Sequence, residues 1–165
     1  AIIGAGGIGF DAGEFLLHTP GESLEAWRAR WGVADPAESR GGLGVKVKTP
    51  ARREVHLLQR KETALGKGLG KTTGWVHRAT MQDAGVSMLR GVEYERIDDD
   101  GLHLKGRVLA VDTIVLCAGQ VSVRDLVEPL TARNVTVHVI GGADVAAELD
   151  AKRAIKQATE LAARL

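Results

Sequence analysis

Apolar and polar positions alternate along the chain in blocks that change period, and the changes mark the elements. Ala1-Ile2-Ile3 is a short apolar run broken by Gly4, the end of a buried strand entering a turn. From Gly7 to about His18 the period lengthens, with Ile8, Ala12, Phe15 and Leu16 at helical spacing, and Pro20-Gly21 stops the helix. Trp27 and Trp31 stand one turn apart in a second, short helix. A glycine-rich stretch follows, Gly41-Gly42-Leu43-Gly44, and residues 21–53 together are expected to form an insertion. Glu54 to Gln59, with Val55, Leu57 and Leu58, predicts a strand, followed by a basic loop from Arg60 to Lys71. Thr72 or Thr73 is placed to cap a helix running to about Ala84, with Gly85 ending it. Val86 to Leu89 is the next strand.

Three extended runs come next: Val92 to Ile97, Gly101 to Lys105, and Arg107 to Ala110. Asp100-Gly101 and Lys105-Gly106 are hairpin turn pairs, so these runs predict an antiparallel meander. Thr113 to Cys117 and Thr136 to Ile140 are apolar strands ending in glycine. A long helix from about Val145 to Arg164 closes the chain. Strands alternating with helices predict an α/β fold with a Rossmann-like parallel sheet and helical crossovers, and the meander inserted late in it.

Composition narrows the function. The 165 residues carry a formal net charge of +1, which rules out a global field drawing the chain to nucleic acid or membrane. Aromatics make up 4% and do not interleave with the basic residues, as a single-strand binder requires. No apolar run reaches the ~18 residues of a membrane span, and no signal peptide opens the chain. The one cysteine, Cys117, excludes a disulfide framework or a zinc site within the chain; a reducing, cytoplasmic setting is expected, with Cys117 as a small core residue. The opening in mid-strand suggests a piece of a longer polypeptide.

The chemistry concentrates in a few places. Gly4-Ala5-Gly6-Gly7-Ile8-Gly9 matches G-x-G-x-x-G between a strand and a helix. In that setting Gly4 permits the tight turn, Gly6 lets backbone approach a pyrophosphate, and Gly9 lets helix and sheet pack closely. N–H groups of Gly7 and Ile8 at the helix start then face the diphosphate. The second strand ends Gln59-Arg60-Lys61, with no acid to accept from ribose hydroxyls. Arg60 suits a 2′-phosphate and Lys61 adds charge, which favours NADPH over NADH. The spacing from Gly9 exceeds the usual ~20 residues, and the insertion accounts for the excess. Gly66 to Thr72 looks like a P-loop but has too few residues between its first glycine and its Gly-Lys pair. Asp98, Asp99 and Asp100 form a turn lacking further metal ligands. His77 near Trp75 reads as an exposed polar position, with a contact to nicotinamide as the alternative, and Glu148 and Asp150 read as helix surface. At Gly141-Gly142-Ala143-Asp144 the carboxylate either accepts from a sugar-like hydroxyl chain or caps the last helix.

Taken together, the glycine turn, the basic strand end, the meander, Ala118-Gly119 and the Gly142/Asp144 element resemble flavoproteins with two dinucleotide-binding domains, the glutathione- and thioredoxin-reductase-like class. Four segments resemble the C-terminal region of the bacterial 2,4-dienoyl-CoA reductases more closely: Leu57 to Lys61, Gly68-Leu69-Gly70-Lys71-Thr72-Thr73-Gly74-Trp75, Ile97 to Leu102, and Glu148 to Ile155. Glu22 to Pro50 matches no motif of that family. The resemblance implies residues 1–119 as an NAD(P)H-binding domain with the 21–53 insertion, and 120–165 as the C-terminal segment of a split FAD-binding domain, Asp144 facing the FAD ribityl chain. It implies FMN and a 4Fe–4S cluster in an N-terminal barrel of the same polypeptide, and electrons passing from NADPH through FAD, cluster and FMN to an unsaturated acyl-CoA in fatty-acid β-oxidation. The catalytic acid and the cluster cysteines of that barrel are absent here, so the chain by itself is expected to be inactive. A related enoate-reductase-like or amine-dehydrogenase-like flavin oxidoreductase, or a non-enzymatic nucleotide sensor, are the alternatives.

Overall fold

A computed structural model describes residues 1–147 and 150–165. The chain forms two compact units, Ala1–Ala118 and Gly119–Leu165. The first is built on a parallel sheet of β1 (Ile2–Ile3), β2 (His56–Leu58), β3 (Ser87–Leu89) and β7 (Val115–Leu116), in the order β3-β2-β1-β7. Ile2 pairs with Leu57 and Val115, and Ile3 with Leu58 and Leu116. Helices α1 (Gly7–Leu17) and α3 (Gly74–Asp83) are the crossovers. The expected α/β class with its inserted meander is therefore present.

Period-two alternation explains why these strands are apolar throughout. Ile2 and Leu57 point to one face, into a cluster with Phe10, Leu65 and Met81 from the helical side. Ile3 and Leu58 point to the other, into a cluster with Val92, Leu102 and Leu104. The second face is covered by the meander, β4 (Tyr94–Asp98), β5 (Gly101–Leu104) and β6 (Arg107–Leu109), ordered β4-β5-β6 and antiparallel. Gly101 at φ +121 and Gly106 at φ +81 supply the turn conformations that the two turn pairs predict. Phe10, Ile2, Leu57, Leu58, Met81 and Leu102 are the largest fully buried side chains. Each stabilises the fold by roughly 1.5–3 kcal/mol relative to exposure.

The inward stripe of α1 differs from the apolar spacing that predicted the helix. Ile8 and Phe15 are exposed, and Gly9, Phe10 and Gly13 are buried. The helix packs through glycines, so its buried face carries few apolar side chains to reveal it. A Cβ on Gly13 would stand 2.3 Å from Met81 Cε, which shows how closely α1 and α3 approach. At the end of α1 the Arg53 guanidinium donates to the Leu16 carbonyl at 2.8 Å, satisfying a C-terminal group.

Residues 21–53 contain α2 (Leu24–Trp31), capped by Ser23 and ended by Gly32 in the left-handed region, then a single 3-10 turn at Arg40–Gly42. Arg30 makes a two-pronged pair with Glu22 at 2.9 and 3.0 Å and lies 3.8 Å from Asp83 at the end of α3. Arg30 and Lys46 both lie over the Trp31 ring. Thr73 occupies the N-cap of α3 with no side-chain cap bond, so the capping expected of it is absent; Thr73 already has helical φ and ψ, with its N–H bonded to the Gly70 carbonyl.

The second unit holds α4 (Val127–Thr131) and α5 (Ala151–Ala162). Two expectations fail here. Thr136 to Ile140 forms no strand, because no neighbouring strand pairs with it among the described residues and an extended segment needs such a ladder. The last helix begins at Ala151 instead of Val145: Asp150 has extended backbone, and its carboxylate accepts the Arg153 N–H at 2.7 Å, fixing the start. Asp150 is thus a cap, not plain helix surface, and Asp144 caps no helix. Glu148 and Leu149, part of the family-like segment, lie outside the described residues. Among the described residues, no helix is long and apolar enough to cross a membrane.

Candidate dinucleotide site

The carboxyl ends of β1, β2 and β3 converge on one edge of the sheet, where ligands bind in open α/β folds. Gly4 leaves β1 at φ +112, its N–H bonded to the Leu58 carbonyl at 2.9 Å. A Cβ there would stand 2.5 Å from the Cys117 carbonyl oxygen, so the turn and the end of β7 leave no room for a side chain. Gly9 is tighter still: a Cβ would meet the Gly4 carbonyl oxygen at 1.8 Å. These two glycines are fixed by the protein's own packing.

Gly6 and Gly7 are different. Both are exposed, and a Cβ on either would meet nothing within 4 Å. Gly6 has an ordinary extended conformation and is the N-cap of α1, with no side-chain cap. The first turn contains no acidic residue either. The helix therefore presents its first N–H groups, from Gly7 and Ile8, and its positive dipole end to open space. Neither backbone strain nor crowding demands glycine at Gly6; an approaching ligand would.

The end of β2 lies alongside. Gln59 donates its backbone N–H to Leu89 at 2.9 Å and its side-chain amide to the Lys61 and Thr63 carbonyls at 2.9 and 2.5 Å. Its amide nitrogen thus shapes the loop carrying Arg60 and Lys61. The Lys61 carbonyl also accepts the Gly91 N–H, and the Gln59 carbonyl accepts that of Val92. These bonds tie the β2 loop to the chain leaving β3 and frame an open cleft of about 540 Å³, lined by Arg60, Glu62, Gly91, Val92, Glu93 and Tyr94. The Tyr94 hydroxyl is shielded from solvent and, among the described residues, has no hydrogen-bond partner. Burial pushes its pKa up, and the nearby Arg60 charge opposes that. A buried unpaired hydroxyl beside a cleft calls for a partner. Glu62, Gly91 and Tyr94 were not expected from the sequence. The available signal was topological: in a parallel sheet the segment after β3 must pass the end of β2.

Other sequence candidates fall elsewhere. Ala118 ends the first unit and Gly119 opens the second at φ +88. Cys117 is half-buried against the helical-side core, and burial raises its thiol pKa. His77 is half-buried, its Nδ1 2.7 Å from Glu14 Oε1 across α1 and α3, so it links two helices. Asp98, Asp100 and His103 bring their ligand atoms within 4.8 Å of one another. His103 thus brings a third ligand atom to a turn that was expected to lack further ligands, but Asp98 is already engaged: it accepts from Arg96 and from the Asp100 N–H, and it pairs with the buried His103. A smaller cavity of about 220 Å³ adjoins the opposite end of α1, near Glu14, His18 and Arg30.

In the second unit Gln157 clamps the Gly141–Asp144 turn. Its carbonyl oxygen accepts the Gly141 N–H at 2.8 Å and its amide donates to Asp144 Oδ2 at 2.6 Å. Arg124 donates to the Ala143 and Asp144 carbonyls and lies 3.8 Å from Asp144 Oδ1. Oδ1 is then the Asp144 oxygen left to accept from a ligand hydroxyl, so the fit to a flavin is partial. Gly142 is part of the same turn.

No protein-family model matches the chain. A solved complex of 2-naphthoyl-CoA reductase with 2-naphthoyl-CoA aligns with 94% of it, at a TM-score of 0.59 and 17% sequence identity. The chain shares its fold with part of a CoA-ester reductase. It spans 19% of that reductase's length. At this identity the likeness is one of fold, so the chemistry rests on the residues described above.

Proposed function

We propose that this chain is the NADPH-binding part of a flavin-dependent oxidoreductase acting on a CoA ester, of the 2,4-dienoyl-CoA reductase kind. The observation that carries this is the uncapped, unobstructed helix start behind Gly6, at the sheet edge where dinucleotides bind. In this proposal the N–H groups of Gly7 and Ile8 donate to the diphosphate. Gly4 and Gly9 hold turn, sheet and helix together. Gln59 orders the next loop, Arg60 pairs with the 2′-phosphate, and Lys61 adds positive charge. When bound, the nicotinamide supplies a hydride.

The Ala1–Gly119 part is assigned as the NAD(P)H domain and residues 120–165 as a segment of a split FAD domain. Asp144, oriented by Gln157 and Arg124, would hold a ribityl hydroxyl there. FMN and a 4Fe–4S cluster belong, on this view, to a barrel partner in the same polypeptide. The fold shared with a CoA-ester reductase supports the class of reaction.

Calorimetric titration with NADPH and NADH, on wild type and an Arg60→Ala variant, tests the assignment. NADPH affinity should fall at least about tenfold in the variant, since hydrogen bonds to charged groups are worth ~1.5–3 kcal/mol. NADH affinity should change little. Equal affinities for both nucleotides, unmoved by the substitution, would contradict it.

A further inference from the structure

The cleft that contains Arg60 also contains two carboxylates, and they are not equivalent. Glu93 is engaged: Lys105 donates to both its oxygens at 3.0 and 2.9 Å, just beyond the paired ends of β4 and β5. Among the described residues, no hydrogen bond or ion pair occupies the Glu62 carboxylate. It is nonetheless folded into the cleft wall over Gly91. A Cβ on Gly91, which has φ +63, would stand 2.2 Å from Glu62 Oε1 and 2.6 Å from Oε2, so the carboxylate lies directly against the bare glycine backbone. Arg60 and Glu62 thus present opposite charges to one space, next to the unpaired Tyr94 hydroxyl.

We infer that Glu62 opposes Arg60 in choosing the nucleotide, making the cleft one that accepts NADH as well as NADPH. This rests on the nicotinamide assignment above. A ribose carrying a free 2′-hydroxyl donates to a carboxylate, whereas a 2′-phosphate is repelled by it. Arg60 has the reverse preference. With both charges lining one cleft, discrimination between the nucleotides is the difference between two opposed effects. The sequence around Arg60 and Lys61 suggests a plain NADPH site; Glu62 limits that preference. The acid that an NADH site usually carries at the strand end is supplied here from within the following loop.

The test is a Glu62→Gln variant of the full chain, titrated with NADPH and NADH by calorimetry, with a thermal melt to confirm folding. Glu62 is exposed and makes no bond that the fold depends on, so the melt should match wild type. NADPH should bind more tightly and NADH more weakly, moving the affinity ratio about tenfold toward NADPH, the equivalent of roughly 1.4 kcal/mol. A ratio within about twofold of wild type, or parallel changes for both nucleotides, would overturn the role of Glu62 while leaving the nicotinamide assignment standing. Binding of neither nucleotide by the wild-type chain would overturn that assignment and this inference with it. A Glu62→Asp variant serves as the conservative check: a retained carboxylate should keep the ratio nearer wild type than glutamine does.

Discussion

Two glycines of the turn serve the fold and two leave space, and substitutions separate these roles. At Gly9 an added methyl would collide with the Gly4 backbone oxygen, which no rotamer change can relieve. Gly9→Ala should therefore destabilise the first unit by about 2–4 kcal/mol, visible as a lower denaturant midpoint. An unchanged midpoint would mean that α1 does not pack as described. The glycine string itself was legible in the sequence because strand, turn and helix signals coincide there. Glu62 and Tyr94 were not legible, since their significance depends on where the chain runs after β3. Gln59 was expected to touch the nucleotide; in the structure its amide works on the loop backbone, a contact that no spacing rule encodes.

At the scale of elements the meander was the easiest feature to read and has its own pH dependence. Its two turn pairs fall where Gly101 and Gly106 take positive φ. Within the first hairpin the hydrogen bond from His103 holds the Asp98 carboxyl below its usual 3.8, with Asp100 N–H and Arg96 assisting. A carboxylate with a depressed folded pKa contributes stability that is present above 3.8 and lost as pH falls through the lower folded value. The Tm difference between wild type and Asp98→Asn should accordingly be fully present at neutral pH and shrink as pH falls below about 3.8. A pH-independent difference would show that Asp98 acts through its shape alone. Elements with no local signal were harder. The inner face of α1 was hidden by its glycines. Thr136 to Ile140 has the alternation of a strand, but alternation cannot supply the neighbour that a strand requires. The start of α5 was set by one cap, Asp150, within a segment whose apolar residues suggested an earlier start.

For the whole molecule, the parallel order β3-β2-β1-β7 with a meander covering one face agrees with the alternation of strands and helices along the chain. The insertion at residues 21–53 matched no motif, and the structure gives it a mechanical connection through Arg30 and Lys46 to Asp83 of α3. The chain shares its fold, over 94% of its length, with one part of a CoA-ester reductase. What it does with that framework rests on the open helix start at Gly6. The most direct measurement is NADPH titration of Gly6→Ala beside wild type, each with a thermal melt. A methyl at Gly6 meets nothing and the backbone there is ordinary, so the variant should lose only about 1 kcal/mol, from the poorer N-cap, and stay folded. NADPH affinity should nevertheless drop at least about tenfold, the methyl standing where the diphosphate must approach. Unchanged NADPH binding in a folded Gly6→Ala protein would contradict the account.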